Sequence, residues 1–198
     1  MLFAGGGGVG ATPNIRRSIR IECENNNSSI HTLENVGEYS KICEMVDCSN
    51  GICEHEPLRY MRPMLQATFC LQPPGDTPTR RSTFDSIIAG CMPVFFEELS
   101  AKIQYGWHML KEQYGEFSVF IPREEVMSKR LRLLNVLMGM LRREVMKKGE
   151  RVVELIPRVM YRRHGNSMGL RSIEDAFDIA VEGTLQRIKA RIHNFSAR

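Results

Sequence analysis

The sequence predicts an α/β fold, a parallel sheet followed by a helical C-terminal third. Three observations predict it. The apolar runs Ala67 to Gln72 (ATFCLQ) and Cys91 to Phe96 (CMPVFF) flank a segment of helical periodicity, which makes a βαβ unit. The usual right-handed crossover sets those two strands parallel. A further apolar strand opens the chain, and beyond Pro122 the pattern is helical to the end.

Length and composition fit this class. At 198 residues, 42% hydrophobic and 25% charged, residues 1–198 read as one domain able to bury a core. A net charge of +4 is too mild to imply a nucleic-acid partner. The stretch from Lys129 to Arg163 holds eleven Lys or Arg against three Glu and reads as solvated helix faces. The longest apolar run, Ile87 to Phe96, is about half the ~20 residues needed to cross a bilayer. No leader pattern precedes it, and the start reads as though the chain begins inside a domain.

Taken in order, the first strand meets GGGGVGATP and then a helix-like segment from Ile15 to Cys23. Gly5-x-Gly7-x-x-Gly10 matches the dinucleotide fingerprint formally, but four successive glycines satisfy many patterns and no acidic residue is clearly placed after a following strand. A flexible strand-to-helix turn is the expected reading, Arg16 near the helix start keeps a phosphate-cradling loop open as the second, and a dinucleotide oxidoreductase is a third. Asn25 to Ser29 is polar and turn-like, a surface loop. From Glu56 to Gln66 a helix is expected, with Leu58, Met61 and Leu65 on its face and Pro63 interrupting it. Phe117 to Ile121 (FSVFI) supplies one more strand. In RVVELIPRVMY the residues Val152, Leu155, Ile156 and Val159 form a core stripe, and Pro157 should kink or end that helix. The last helix, Ile173 to Ile192, runs amphipathically through Ala176, Phe177, Ala180, Leu185 and Ile188.

Six cysteines are compatible with buried thiols, disulfides or metal ligands. Cys43-x4-Cys48-x4-Cys53-x-His55 departs from the tight spacing of structural zinc sites. Disulfides among Cys23, Cys43, Cys48 and Cys53 suit an oxidising compartment, whereas Cys70 and Cys91, set in apolar runs, read as buried thiols.

The segment Gly75 to Asp85, GDTPTRRSTFD, breaks a local rule: it puts two arginines where a helix already presents positive partial charge. Ser82-x-x-Asp85 as a capping box and Arg81 with Asp85 as an i,i+4 pair would be ordinary structural reasons. A binding site supplies a stronger one. A loop after a parallel strand, with Gly75 allowing close backbone approach and a helix N-terminus behind it, favours anions. Arg80 and Arg81 add two guanidinium forks suited to a diphosphate. Asp85, one turn further in, is placed to accept from the two hydroxyls of a ribose. The chain has no Asp-x-Asp pair to hold a metal on that diphosphate, so arginines and backbone N–H groups would neutralise it.

These residues bring out a resemblance. The blocks FCLQPPGDTPTRRSTFDSIIAGCMPVFF, AKIQYGWH, YGEFSVFIP and ERVVELIPRVMY are similar to those of the plant exostosin-like glycosyltransferases of family 47, and within it the xyloglucan galactosyltransferases. The likeness extends more weakly to the FAG start and IRRSIRIEC. It implies the donor-side half of a GT-B enzyme, two Rossmann-like domains with the sugar nucleotide between them, whose acceptor half, stem and membrane anchor would lie upstream. It implies inverting, metal-independent transfer of galactose from UDP-galactose to a xylosyl side chain of xyloglucan in the Golgi lumen, with no cofactor beyond the sugar-nucleotide substrate. Gly75 and Asp76 would shape the donor loop. Arg80 and Arg81, with Thr79 and Ser82 beside them, would meet the diphosphate. Asp85 would hold the ribose, and Arg16 would reach phosphate as well. The base for the acceptor hydroxyl is not identified here, His108 being a weak candidate, and Trp107 in QYGWH is a candidate for stacking on a sugar. A lumenal setting would make the acceptor triplets at Asn26, Asn27 and Asn194 usable for glycosylation. Where relatives continue QYGWH with Leu-Pro, this chain has Met109-Leu110-Lys111. The alternative is a truncated, non-catalytic nucleotide-binding module.

Overall fold

The computed structural model describes residues 1–6, 14–30, 42–75, 80–99, 105–109, 111–162 and 174–196. Its centre is a five-stranded, all-parallel sheet in the order β2-β1-β3-β4-β5. The strands are β1 (Leu2–Gly5), β2 (Glu44–Asp47), β3 (Phe69–Gln72), β4 (Met92–Phe95) and β5 (Val119–Phe120). Helix α1 (Ile15–Ile30) links β1 to β2; α2 (Ile52–His55) and α3 (Leu58–Gln66) link β2 to β3; α4 (Arg81–Ile88) links β3 to β4. The chain order reverses at β1, because β2 lies to one side of it and β3 to the other. Right-handed crossovers therefore put α1 on one face and α3 and α4 on the opposite one.

Alternation along β1 sorts the core accordingly. Phe3 packs in one cluster with Ile15 and Ile19 of α1, while Leu2 and Ala4 pack with Tyr60 and Met64 of α3. After β4 come α5 (Tyr114–Phe117), α6 (Arg123–Met127), α7 (Leu133–Met138), α8 (Arg142–Val159) and α9 (Ala176–Ser196). Helix α6 packs on α1, and α8 packs on α4 through Val152, Leu155 and Val159, as the core stripe predicts.

The structure corrects several expectations. Helix α1 does not stop before the Asn-rich stretch but continues to Ile30, with the Asn26 amide donating to the Glu22 carbonyl one turn back at 2.8 Å. Pro63 does not interrupt α3, whose packing of Tyr60 and Met64 offsets one lost backbone bond. The buried face of that helix is rotated, leaving Leu58 and Leu65 exposed. Pro157 sits inside α8 two residues before it ends. On α4, Ile87 and Cys91 are buried as expected, but Ile88 is exposed and Thr83 and Ser86 are buried. Phe117 belongs to α5 rather than to a strand. Along α9, Phe177, Leu185 and Ile188 are exposed instead of buried.

All six cysteines are paired, as Cys23–Cys43, Cys48–Cys53 and Cys70–Cys91. Cys70 and Cys91 are therefore buried but are not thiols. Their apolar surroundings mark burial, whereas bonding depends on the pairing of β3 with β4, which brings the two sulfurs together. With Cys43, Cys48 and Cys53 all bonded, no thiolate remains for zinc.

Candidate functional site

In an open parallel sheet, ligands bind beyond the carboxyl ends of the strands where the strand order reverses. Here that point lies between β1 and β3, and a cavity of about 460 Å3 opens there. Ala4 and Gly5 end β1, Gly75 follows β3, and the segment from Cys48 to Glu54 follows β2 and forms a wall. That wall turns sharply through Asn50 (φ 56°) and Gly51 (φ 74°) and is closed by the Cys48–Cys53 disulfide. Positive φ at Gly51 is a conformation other residues rarely adopt.

The cations come from two helices. Arg16, in the first turn of α1, donates from Nε to the Pro74 carbonyl (3.2 Å) and from Nη1 to the Gly6 carbonyl (3.1 Å), bracing the loops after β3 and β1 together. Arg80, the residue before α4, is extended (φ −135°, ψ 124°). Its Nε donates to Ser82 Oγ at 3.2 Å, and its Nη2 lies 3.4 Å from the Ala4 carbonyl. Gly5 makes this possible, because a β-carbon there would stand 3.2 Å from Nη2. Burial, and then the charge of Arg16, lowers the Arg80 pKa to about 10. Arg80 therefore remains a cation at neutral pH, held against the field of another cation. Among the described residues, neither Arg16 nor Arg80 forms an ion pair with a carboxylate.

Arg81 is placed differently. Its Nε lies 3.7 Å from Asp85 Oδ2, the i,i+4 pair expected from the sequence, and its Nη2 is 3.5 Å from the Tyr60 hydroxyl. The Tyr60 hydroxyl also bonds to Asp85, whose pKa is raised by burial against the opposing pull of Arg81 and Tyr60. The Ser82–Asp85 capping box does not form. Ser82 Oγ instead donates to Gln72 Oε1 at 2.6 Å, fixing the helix start to the end of β3.

Of the residues singled out from the sequence, Arg16, Gly75, Arg80, Arg81, Ser82 and Asp85 all line this cavity. Asp76 and Thr79 lie outside the described residues, as do Gly7 and Gly10. Trp107 and His108 are elsewhere: the indole rests against Gly183 with the Arg187 guanidinium 4.7 Å from its centre, and His108 Nε2 lies 3.1 Å from the Ala176 carbonyl. Both belong to the junction with α9. Asn194 is exposed on α9, Asn26 is half-buried on α1, and the Asn27 side chain lies outside the described set.

Two residues were not legible from the sequence. Tyr60 was missed because it falls off the apolar spacing used to read α3. Tyr105 holds the Arg80 backbone at both ends, accepting from its N–H (2.8 Å) and donating to its carbonyl (3.3 Å), with Phe84 packed edge-on at 4.6 Å. An aromatic ahead of a Gly-Trp-His turn gave no sign of this.

The exostosin GT47 domain matches residues 1–137, which include every strand of the sheet and the whole cavity. The chain belongs to the exostosin GT47 family. A probable xyloglucan galactosyltransferase, GT19, of Arabidopsis thaliana is 59% identical over 192 residues, covering 97% of this chain and 42% of that protein. The xyloglucan galactosyltransferase XLT2 of the same plant is 42% identical over 147 residues, 74% of this chain and 28% of its own. A xyloglucan-specific galacturonosyltransferase, also from Arabidopsis thaliana, is 38% identical over 148 residues, 74% of this chain and 22% of its own. This exostosin GT47 chain thus spans less than half the length of the relatives it matches. No helix among its described residues is long and apolar enough to cross a membrane.

Proposed function

We propose that this chain is the donor-binding half of a GT-B glycosyltransferase that moves galactose from UDP-galactose to xyloglucan, inverting the anomeric centre without a metal. The observation that carries the reading is the meeting of Arg16 and Arg80 at the β1/β3 switch point, with no carboxylate against either among the described residues. Two half-buried cations facing each other cost energy when the site is empty, and a diphosphate between them removes that cost. As the glycosidic bond to UDP breaks, negative charge develops on the leaving diphosphate, where preorganised guanidinium groups stabilise it most. Asp85, supported by Tyr60 and Arg81, accepts from the ribose hydroxyls. The acceptor hydroxyl needs a base, which we assign to the acceptor-side half together with the choice of polysaccharide.

The names of the relatives support xyloglucan as acceptor and a nucleotide sugar as donor. Three disulfides support a lumenal, oxidising setting, and the Golgi is the compartment we propose for the full-length protein. A second reading is a module that binds the nucleotide and transfers nothing by itself, since no base for the acceptor hydroxyl is assigned among the described residues. Calorimetric titration with UDP and UDP-galactose in the presence of EDTA tests the donor assignment. Binding of both is expected; a folded chain that binds neither refutes it. Transfer to xyloglucan by a longer chain carrying the acceptor half then separates the enzyme from the inert module.

A further inference from the structure

Helix α4 begins on a residue poorly suited to the place. Its N-cap is Arg80, which is extended (φ −135°, ψ 124°) and makes no side-chain cap bond. Residues that cap well carry a short side-chain oxygen able to reach the free N–H groups of the first turn. Arginine, whose side chain only donates, has none. Thr79, the residue before it in the sequence, is of the capping type. The local sequence therefore favours a helix one residue longer, with Arg80 inside its first turn. Arg80 nevertheless stands outside, and a group distant in the chain supplies the reason. The Tyr105 hydroxyl accepts from the Arg80 N–H at 2.8 Å and donates to the Arg80 carbonyl at 3.3 Å. That carbonyl also takes the first helical bond, from the Thr83 N–H at 3.2 Å.

One hydroxyl can bridge the N–H and C=O of a single residue only while that residue is extended, because the two groups then point to the same side. In a helix they point in opposite directions along the axis. A helical ψ lies near −42°, so Arg80 inside the helix would lose the bridge and carry its guanidinium away from Ser82 Oγ and the Ala4 carbonyl. Tyr105 is itself firmly held. Its carbonyl accepts from the N–H groups of His108 (3.0 Å) and Met109 (2.8 Å), and Met109 is fully buried. Arg158 of α8 donates to the carbonyls of His108 (2.9 Å) and Trp107 (3.3 Å). Burial raises the Tyr105 pKa, so the hydroxyl keeps the proton it donates. We propose that Tyr105 is a positioning residue of the nucleotide site: by capping α4 from outside, it fixes the Arg80 backbone in the conformation that directs its guanidinium to the cavity. This inference rests on the reading of Arg80 as a diphosphate ligand.

The test is Tyr105→Phe, which keeps the ring against Phe84 and removes only the hydroxyl. In NMR spectra of the ligand-free chain, the carbon chemical shift of the Arg80 Cα should move from the extended to the helical range. A Tyr105→Phe chain whose Arg80 stays extended overturns the proposal. Calorimetric titration should show UDP and pyrophosphate weakened alike, by about tenfold, since Arg80 meets the diphosphate they share. In an Arg80→Ala background the same substitution should cost less than about twofold, because the guanidinium it positions is gone. A packing defect would instead add its full loss in both backgrounds, and that additivity also overturns the proposal. A parent chain that binds neither ligand overturns the nucleotide reading, and the positioning role with it. A parent that binds both, with Tyr105→Phe binding as tightly, overturns this inference alone. Melting curves confirm that each variant is folded.

Discussion

The guanidinium of Arg80 passes close over Gly5: a β-carbon placed there would be crowded on two sides, meeting Nη2 at 3.2 Å and the Phe3 ring at 3.1 Å. The last residue of β1 and the residue before α4 are thus shaped to each other across the strand-order reversal. Of the two neighbours, the arginine end is the one able to move. Gly5→Ala should therefore displace Arg80 and weaken UDP binding about tenfold, and the contact with the buried Phe3 ring should lower thermal stability as well. Calorimetry paired with a melting curve checks both halves of this expectation.

Arg80 and Arg81 should not contribute alike. Arg80 is half-buried and lines the cavity without a carboxylate partner among the described residues, whereas Arg81 is tied to Asp85 and Tyr60. Arg80→Ala should cost roughly 1.5–3 kcal/mol of UDP binding, with Arg81→Ala at or below the lower end of that range. Equal and negligible losses in titration would remove the diphosphate assignment from this segment.

Asp85 carries the pH dependence of the site. Burial raises its pKa in the folded chain. The folded state thus prefers the neutral acid, and stability present below the unfolded pKa is lost as pH rises through the folded one. Asp85→Asn should accordingly raise the melting temperature at neutral pH. Ribose recognition needs the carboxylate, so UDP affinity should fall on acidification at a higher pH than an ordinary aspartate would give. Pyrophosphate, which has no ribose, should lack that inflection, and titrations of the two ligands against pH compare them directly.

Asp175 shows the opposite sign. Its carboxylate accepts from the backbone N–H groups of Arg162, Phe177 and Asp178 and from the Arg162 guanidinium, which holds its pKa far below the usual carboxylate range. It caps the start of α9. The stability it adds is present above the unfolded pKa and lost as pH falls toward the folded one. Asp175→Asn should flatten the acid-induced loss of helicity measured by circular dichroism, and Asp175→Ala should lower helicity at neutral pH too.

The Cys70–Cys91 bridge closes the crossover that holds Arg80 and Arg81. Replacing both cysteines with serine should reduce stability by about 3 kcal/mol, the size associated with loops of this length. Denaturant unfolding measures that loss, and UDP titration of the folded variant shows whether the arginines remain in place.

How far the site could be read from the sequence depends on how local each cause is. That Gly75, Arg80, Arg81 and Asp85 would come together was legible because charge at a helix start, a glycine before it and an apolar run on either side are all neighbours in the chain. Tyr60 and Tyr105 were not, because what makes them matter is contact with Arg81, Asp85 and Arg80 across 21 to 25 positions. Strand β2 escaped notice for a similar reason: four residues of mixed polarity become a strand only by pairing with β1, Leu2 opposite Glu44 through Gly5 opposite Asp47. The helical period of α9 was right and its orientation wrong, since periodicity reports a stripe without saying which way it faces.

Cys23 with Cys43, Cys48 with Cys53 and Cys70 with Cys91 form a series in which each cysteine is joined to the next one along the chain. Six cysteines admit fifteen pairings, and this is the one in which no bridge encloses or crosses another. Within these residues each bridge therefore joins two cysteines with no other cysteine between them. Removing any one bridge therefore leaves the loops closed by the other two unchanged, and the three contribute to the covalent framework independently.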